Sequence, residues 1–287
     1  MLRPMTWTTL VGTNALAERL DDPALVIVDC RYDLEHEAWG REAYADAHLP
    51  GAVYAHLEHD LSGAKTGKNG RHPLPEAGAL RETFGRLGID GTVQVVAYDQ
   101  DAGMYASRLW WLLRWLGHDA VAVLDGGLAK WIDERRLTTS GAGGGARAAR
   151  VFTGAPRPGV SLNADEVAAV MHAAEWRLVD ARAPERYRGE TEPIDPVAGR
   201  IPGAVNHFFK DNLTDRGTFR SPDEIRARLR DSIGDVAPHH IVCYCGSGVT
   251  ACHNLLALEH VGLHGATLYP GSWSEWSSDP QRPQERS

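Results

Sequence analysis

Only four cysteines occur in 287 residues: Cys30, Cys243, Cys245 and Cys252. They are too few and too unevenly spaced to staple a small secreted fold, which points to a reducing, cytoplasmic setting. Nor is there an apolar run of about 18 residues, the length a membrane-crossing helix needs. The opening stretch, MLRPMTWTTLVGTNALAERLDDP, has neither the continuous apolar segment nor the small-residue cleavage site of a signal peptide. An excess of positive charge is missing as well. Thirty basic residues stand against 38 acidic ones, a formal charge of −8. That argues against a nucleic-acid surface, while a local basic patch can still bind a small anion. What is present is a soluble globular composition, 43% hydrophobic and 24% charged, in a chain long enough for one large domain or two ordinary ones.

The chain repeats itself. Leu25 to Val53 and Arg177 to Val205 both open on an apolar run ending in Asp-x-Arg (Asp29 and Arg31, Asp180 and Arg182), and both close on Pro-Gly-Ala-Val at Pro50 and Pro202. Downstream, Tyr98 falls on Tyr244, Gly117 on Gly262, Gly126 on Gly271 and Trp131 on Trp276. This is one long unit duplicated, not a solenoid. Between the copies, Thr138 to Gly159 is rich in Gly, Ala and Pro without periodicity, and reads as a connector. The domains are therefore expected at 1–137 and 160–287, with a linker at 138–159. Within each copy, strand-like runs (LVIVD, VQVVAY, AVAVLD; RLVDA, HIVCY, ATLYP) alternate with helical segments such as ASRLWWLLRWLG and CHNLLALEHVG. Alternating helices and nearly all-apolar strands predict an α/β fold with two parallel sheets, each flanked by helices. Trp110, Trp111 and Trp115 fit packing along one amphipathic helix.

Ligands of such sheets gather at the carboxyl ends of strands. At one of those ends the sequence reads YCGSGVTACH, Tyr244 to His253. A strand–loop–helix turn rich in glycine aims successive backbone N–H groups into one concavity, and the helix start adds partial positive charge. A thiol in such a cradle ionises readily. Cys245 is thus a candidate nucleophile, with an adduct seated among amides from Gly246 to Ala251. A phosphatase loop would place an arginine at position 251, which is Ala251. A metal site from Cys243, Cys245, Cys252 and His253 has the wrong spacing. Cys30, Cys243 and Cys252 read as packing residues.

Two tandem units, a loop cysteine (Cys245) in the second with Asp99 in the matching place of the first, and the loop CGSGVTA together resemble the two-domain rhodanese-type sulfurtransferases, as do the motifs HLPGA, GRIPGA, LDGGLAKW and ERYRGE. The resemblance runs from about Thr8 to Trp276, and CGSGVT is similar to the 3-mercaptopyruvate type. It implies two rhodanese-like domains, the second catalytic, with the active site in the cleft between them and the first domain as scaffold. It further implies a persulfide on Cys245, taken from a small anionic sulfur donor and passed to a thiol, cyanide or thioredoxin-like acceptor, with no metal or organic cofactor. A monomeric cytoplasmic enzyme is expected, with no nucleic-acid or membrane partner. The alternatives are a thiosulfate-preferring enzyme and a sulfur-relay module with little small-donor turnover.

The resemblance also assigns roles. Gly246, Ser247, Gly248, Val249 and Thr250 match the loop that holds the outer sulfur, and Arg186 matches an arginine that grips the donor's carboxylate or sulfonate. The mercaptopyruvate type carries a second arginine about nine residues further on. Here Ile194-Asp195-Pro196 stands there, with Arg188 and Arg200 as the nearby substitutes. Ser247, His72 in GRHPLPE and Asp60 in EHDLSG match that type's proton relay, in which the His and Asp come from the first domain.

Overall fold

A computed structural model describes residues 6–100, 102–141 and 147–286. The chain forms two compact units. The first comprises Met1–Leu61, Pro75–Arg157 and Arg216–Thr218, and the second Ser62–Leu74, Pro158–Asp215 and Phe219–Ser287. The segment Ser62–Leu74 precedes the connector in sequence, yet it packs with the second unit. His72 and its neighbour Arg71 travel with it.

The first unit is built on strands β1 (Leu10–Val11), β2 (Leu25–Asp29), β3 (Val53–Tyr54), β4 (Gln94–Tyr98) and β5 (Val121–Leu124). All pair in parallel, in the order β1-β5-β4-β2-β3. The second has β6 (Arg177–Asp180), β7 (Val205–Asn206), β8 (Ile241–Tyr244) and β9 (Thr267–Leu268), again parallel, in the order β7-β6-β8-β9. A single parallel bridge from Ser161 to Leu268 stands where β1 stands in the first unit. The duplication read from sequence is thus a duplication of topology. Strands β2, β4, β5 and β8 are buried throughout, as expected of parallel strands covered on both faces.

Each Asp-x-Arg pair fastens the end of a central strand. Arg31 holds Asp29 through Nε and Nη2 and reaches the carbonyl of Ala47, while the Tyr98 hydroxyl donates to Asp29 at 2.6 Å. Arg182 holds Asp180 in the same way and reaches the carbonyl of Gly199, with Tyr244 as its tyrosine. In register, Asp29 faces Tyr98 and Asp180 faces Tyr244. Because the tyrosine that closes each lock ends the strand before the critical loop, these repeated residues hold that loop's root. They are fully buried, so the attraction within each pair is unscreened by water.

Helix starts carry their own signals. Asn163 and Glu166 form a reciprocal capping box on helix Ala164–Val170, and Ser221 and Glu224 form another on helix Pro222–Ile233, which also has proline in its first turn. Trp110 and Trp111 are buried on helix Ala106–Trp115, with Trp111 stacked on Trp115 and the Trp110 indole donating to the carbonyl of Thr8. Of the expected linker 138–159, residues 142–146 lie outside those described. The described parts pack on the first unit: Arg150 N–H donates to the carbonyl of Gly85, and Phe152 meets Phe84 edge to face. No helix among the described residues is long and apolar enough to cross a membrane.

Candidate active site

Strand β8 ends at Tyr244, and the chain then turns through Cys245-Gly246-Ser247-Gly248 into helix Thr250–His260. The turn is clamped from below by the segment after β9. The Ser272 hydroxyl accepts from Cys245 N–H at 3.1 Å, Trp273 N–H donates to the carbonyl of Cys245, and Ser274 N–H donates to that of Gly246. Gly248 lies in the left-handed region, with φ at 76°. A β-carbon there would press on the carbonyl group of Pro270, which explains the glycine. This conformation turns Gly248 N–H onto Cys245 Sγ at 3.2 Å. The loop therefore aims an amide at the sulfur. Cys245 and Val249 are buried, and Thr250 opens the helix.

The first unit shows what such a loop binds. At the matching place, the Asp99 carboxylate accepts from the amides of Gly103, Tyr105 and Ala106 at 2.9, 2.7 and 2.8 Å. The cradle there is filled by the chain's own anion. In the second unit the same position carries the Cys245 thiol, which meets the Gly248 amide. The other cysteines differ. All are free and buried, and burial pushes the Cys30 and Cys243 thiols well above the usual range. The Cys252 thiol donates to the carbonyl of Gly248.

Two side chains from the segment Ser62–Leu74 reach this loop. His72 Nδ1 lies 2.7 Å from Ser247 Oγ, and both residues are buried. Arg71 was not singled out by the sequence reading. A β-carbon at Gly246 would sit 2.9 Å from Arg71 Nη2, and 3.5 and 3.7 Å from Nη2 and Nη1 of Arg186. Two guanidinium groups thus flank one glycine of the loop. Its lack of a side chain leaves them that room.

These arginines belong to a line of alternating charges that Arg71 ends. Asp180 pairs with Arg182 (2.6 Å), Arg182 with Glu192 (3.2 Å), Glu192 with Arg186 (2.6 Å), Arg186 with Asp195 (3.5 Å), and Asp195 with Arg71. Although burial opposes it, the hydrogen bonds from Arg186 hold the Glu192 carboxyl below its ordinary range. Burial pushes the Asp195 carboxyl above its own, against the pull of Arg71 and Arg186. Asp195, at the place where the resemblance implied a second arginine, is therefore a counter-ion to the first. The substitutes expected from sequence are engaged elsewhere. Arg188 makes an exposed pair with Glu190, and Arg200 pairs with Glu285 and stacks on Tyr187. Asp60 lies in the first unit, where it pairs with Arg86 and accepts from His56 N–H.

One other cluster, Glu37, His56 and His59 in the first unit, has ligand atoms close enough for a metal ion. The Glu58 amide donates to His56 Nδ1 at 3.1 Å, and His56 Nε2 faces the carbonyl of Glu37 at 3.3 Å. Both ring nitrogens are thereby used within the protein, which leaves His56 no lone pair for an ion.

The chain is similar to known proteins over most of its length. The family model described as "Rhodanese-like domain" matches residues 13–134 and 163–279. A protein of Pseudomonas aeruginosa named "Probable 3-mercaptopyruvate sulfurtransferase" is 43% identical over 97% of this chain and 98% of its own length. The rat protein named thiosulfate sulfurtransferase is 33% identical, over 96% of this chain and 94% of its own. Among solved structures, the 3-mercaptopyruvate sulfurtransferase from Leishmania major superposes with a TM-score of 0.84 at 30% identity, covering 94% of this chain and 74% of that one.

Proposed function

We propose that this chain, which belongs to the two-domain rhodanese-type sulfurtransferases, moves sulfur from 3-mercaptopyruvate to a thiol or cyanide through a persulfide on Cys245. That it is a sulfurtransferase follows from its relatives over nearly its whole length. The donor, the intermediate and the residue roles are the proposal. The 2.7 Å approach of His72 Nδ1 to Ser247 Oγ, two residues from the nucleophile, carries it.

In the first half-reaction the Cys245 thiolate attacks the donor's sulfur. The C–S bond breaks, its electron pair becomes the enolate of pyruvate, and a Cys–S–S⁻ persulfide remains after loss of the donor's thiol proton. The enolate needs a proton at carbon. Ser247 supplies it and is refilled from Nδ1–H of a protonated His72, whose charge is restored by the proton released from the donor's thiol, a general-acid step. The outer sulfur is held by the Gly248 amide and its neighbours, as Asp99 is held in the first unit. In the second half-reaction cyanide, a small thiol or a thioredoxin-like protein attacks the outer sulfur and releases Cys245 as thiolate. Arg186 grips the donor's carboxylate.

Thiosulfate is the second reading, favoured by the two guanidinium groups beside Gly246. Against it, the line from Asp180 to Arg71 holds three guanidinium groups and three carboxylates. That balance suits a single negative charge better than two. The test compares kcat/KM for both donors with cyanide as acceptor, alongside intact-mass spectrometry of donor-treated protein. Higher kcat/KM for 3-mercaptopyruvate is expected, with one added sulfur on the wild type and none on Cys245→Ser. A thiosulfate preference would favour the second reading. Sulfur added at Cys30, Cys243 or Cys252 would overturn the nucleophile.

A further inference from the structure

The position nine residues after Arg186 is occupied by Asp195, so the donor's carboxylate needs its second cation from elsewhere. Among the described residues, Arg182 and Arg186 each pair with two carboxylates, whereas Arg71, the end of the line, pairs with Asp195 alone. Its Nη1 makes that pair. Its Nε is buried with no hydrogen-bond partner, and its Nη2 faces Gly246. The guanidinium edge that carries Nε and Nη2 is the one that grips a carboxylate with two parallel bonds. Here that edge is left over, beside the first glycine after the nucleophile. The side chain as a whole keeps 22% of its surface exposed, although Nε itself is buried. The backbone is fixed by a bond from Arg71 N–H to Ser274 Oγ at 3.0 Å, and Ser274 N–H in turn donates to the carbonyl of Gly246. Arg71 and the loop are therefore held to one another through Ser274.

We propose that Arg71 is the second donor-gripping arginine of this site, completing with Arg186 a seat for a small carboxylate over Gly246, and that Asp195 is the positioning residue that holds Arg71 there. The inference rests on the sulfurtransferase reading above and adds to it a binding residue from a different part of the chain. It also gives Asp195 a purpose. An arginine at position 195 would repel Arg71, whereas an aspartate anchors one end of its guanidinium and leaves the other end to the donor.

The test uses the full-length protein and two readouts. The first is steady-state kinetics with 3-mercaptopyruvate and cyanide. The second is protection of Cys245 from iodoacetamide by pyruvate, a carboxylate that cannot donate sulfur. Arg71→Ala should raise both KM and the pyruvate concentration needed for half-protection by about ten- to a hundredfold, the range for one lost charge-assisted contact. Its kcat should stay within about threefold of wild type, since on this reading the lost contact binds donor and transition state alike. Arg71→Lys keeps the charge beside Asp195 but loses the fork, and should still raise both constants, which answers for an alanine variant that fails to fold. If both variants fold with KM and half-protection within twofold of wild type, while Arg186→Ala raises them, the proposal is overturned. If the wild type accepts no sulfur from 3-mercaptopyruvate but Arg71→Ala still loses pyruvate protection, the donor reading fails and the carboxylate seat stands.

Discussion

Gly248→Ala separates the two jobs of the loop. Gly248 sits at φ 76°, where a side chain costs about 1–2 kcal/mol on backbone grounds alone. The new β-carbon would also come within 3.0 Å of Pro270 Cα and C, and nearer still to its carbonyl oxygen. Because the obstacle is backbone, the loop must move. The moving residue carries the amide that reaches Cys245 Sγ at 3.2 Å. Losing one such donor typically lowers kcat by about 10²–10³. The strain alone should lower the melting temperature by about 2–8 °C for a chain of this size. Gly246→Ala is the control. Its β-carbon would meet only the ends of the flexible Arg71 and Arg186 side chains, at 2.9 to 3.7 Å. It should raise the donor KM and leave the melting temperature within about 2 °C of wild type. The assay is cyanide-dependent turnover at saturating donor, paired with thermal unfolding of the same preparations. A Gly248→Ala protein with kcat within twofold of wild type would refute the role of the amide. Equal kcat losses in the two variants would refute the division of labour between the glycines.

Ser247→Ala should lower kcat for 3-mercaptopyruvate by about 10²-fold or more, in the range of general-acid catalysis, and for thiosulfate far less, because only the enolate needs a proton; equal losses on both donors would rule out the relay. Donor affinity should also depend on pH through Asp195. Burial raises its carboxyl, Glu192 adds to that, and Arg71, Arg186 and Arg182 oppose it. Because a neutral Asp195 no longer anchors Arg71 beside Gly246, pyruvate protection should weaken as pH falls through that raised value. Asp195→Asn should bind pyruvate less tightly than wild type and lose the pH dependence, and an unchanged slope in this variant would show that another group titrates.

Much of this protein is legible in its sequence because the relevant signals are local or repeated. Apolar runs such as LVIVD and IVCY fix buried parallel strands, since nothing polar interrupts them. The glycine pattern around Cys245 announces a backbone cradle, because only glycine turns Gly248 N–H onto the sulfur without a clash. The repeated Asp-x-Arg and the aligned tyrosines are visible as a duplication, although their purpose as strand locks is not, because Asp180 meets Tyr244 only across paired strands. Other features depended on the fold. Arg188 and Arg200 are close to Arg186 in sequence, yet local geometry commits them to Glu190 and Glu285. Asp195 reads as the absence of an arginine until its carboxylate is found between two of them. Arg71 is 115 residues before Arg186 in the chain, and sequence order assigns it to the other repeat. Its place beside Gly246 comes from the packing of Ser62–Leu74 with the second unit. Local backbone preference and hydrophobic period are written residue by residue, so the cradle and the sheets could be read directly. The pairing of charges distant in sequence is a property of folded distances, and only the tertiary structure decided which arginines flank Gly246.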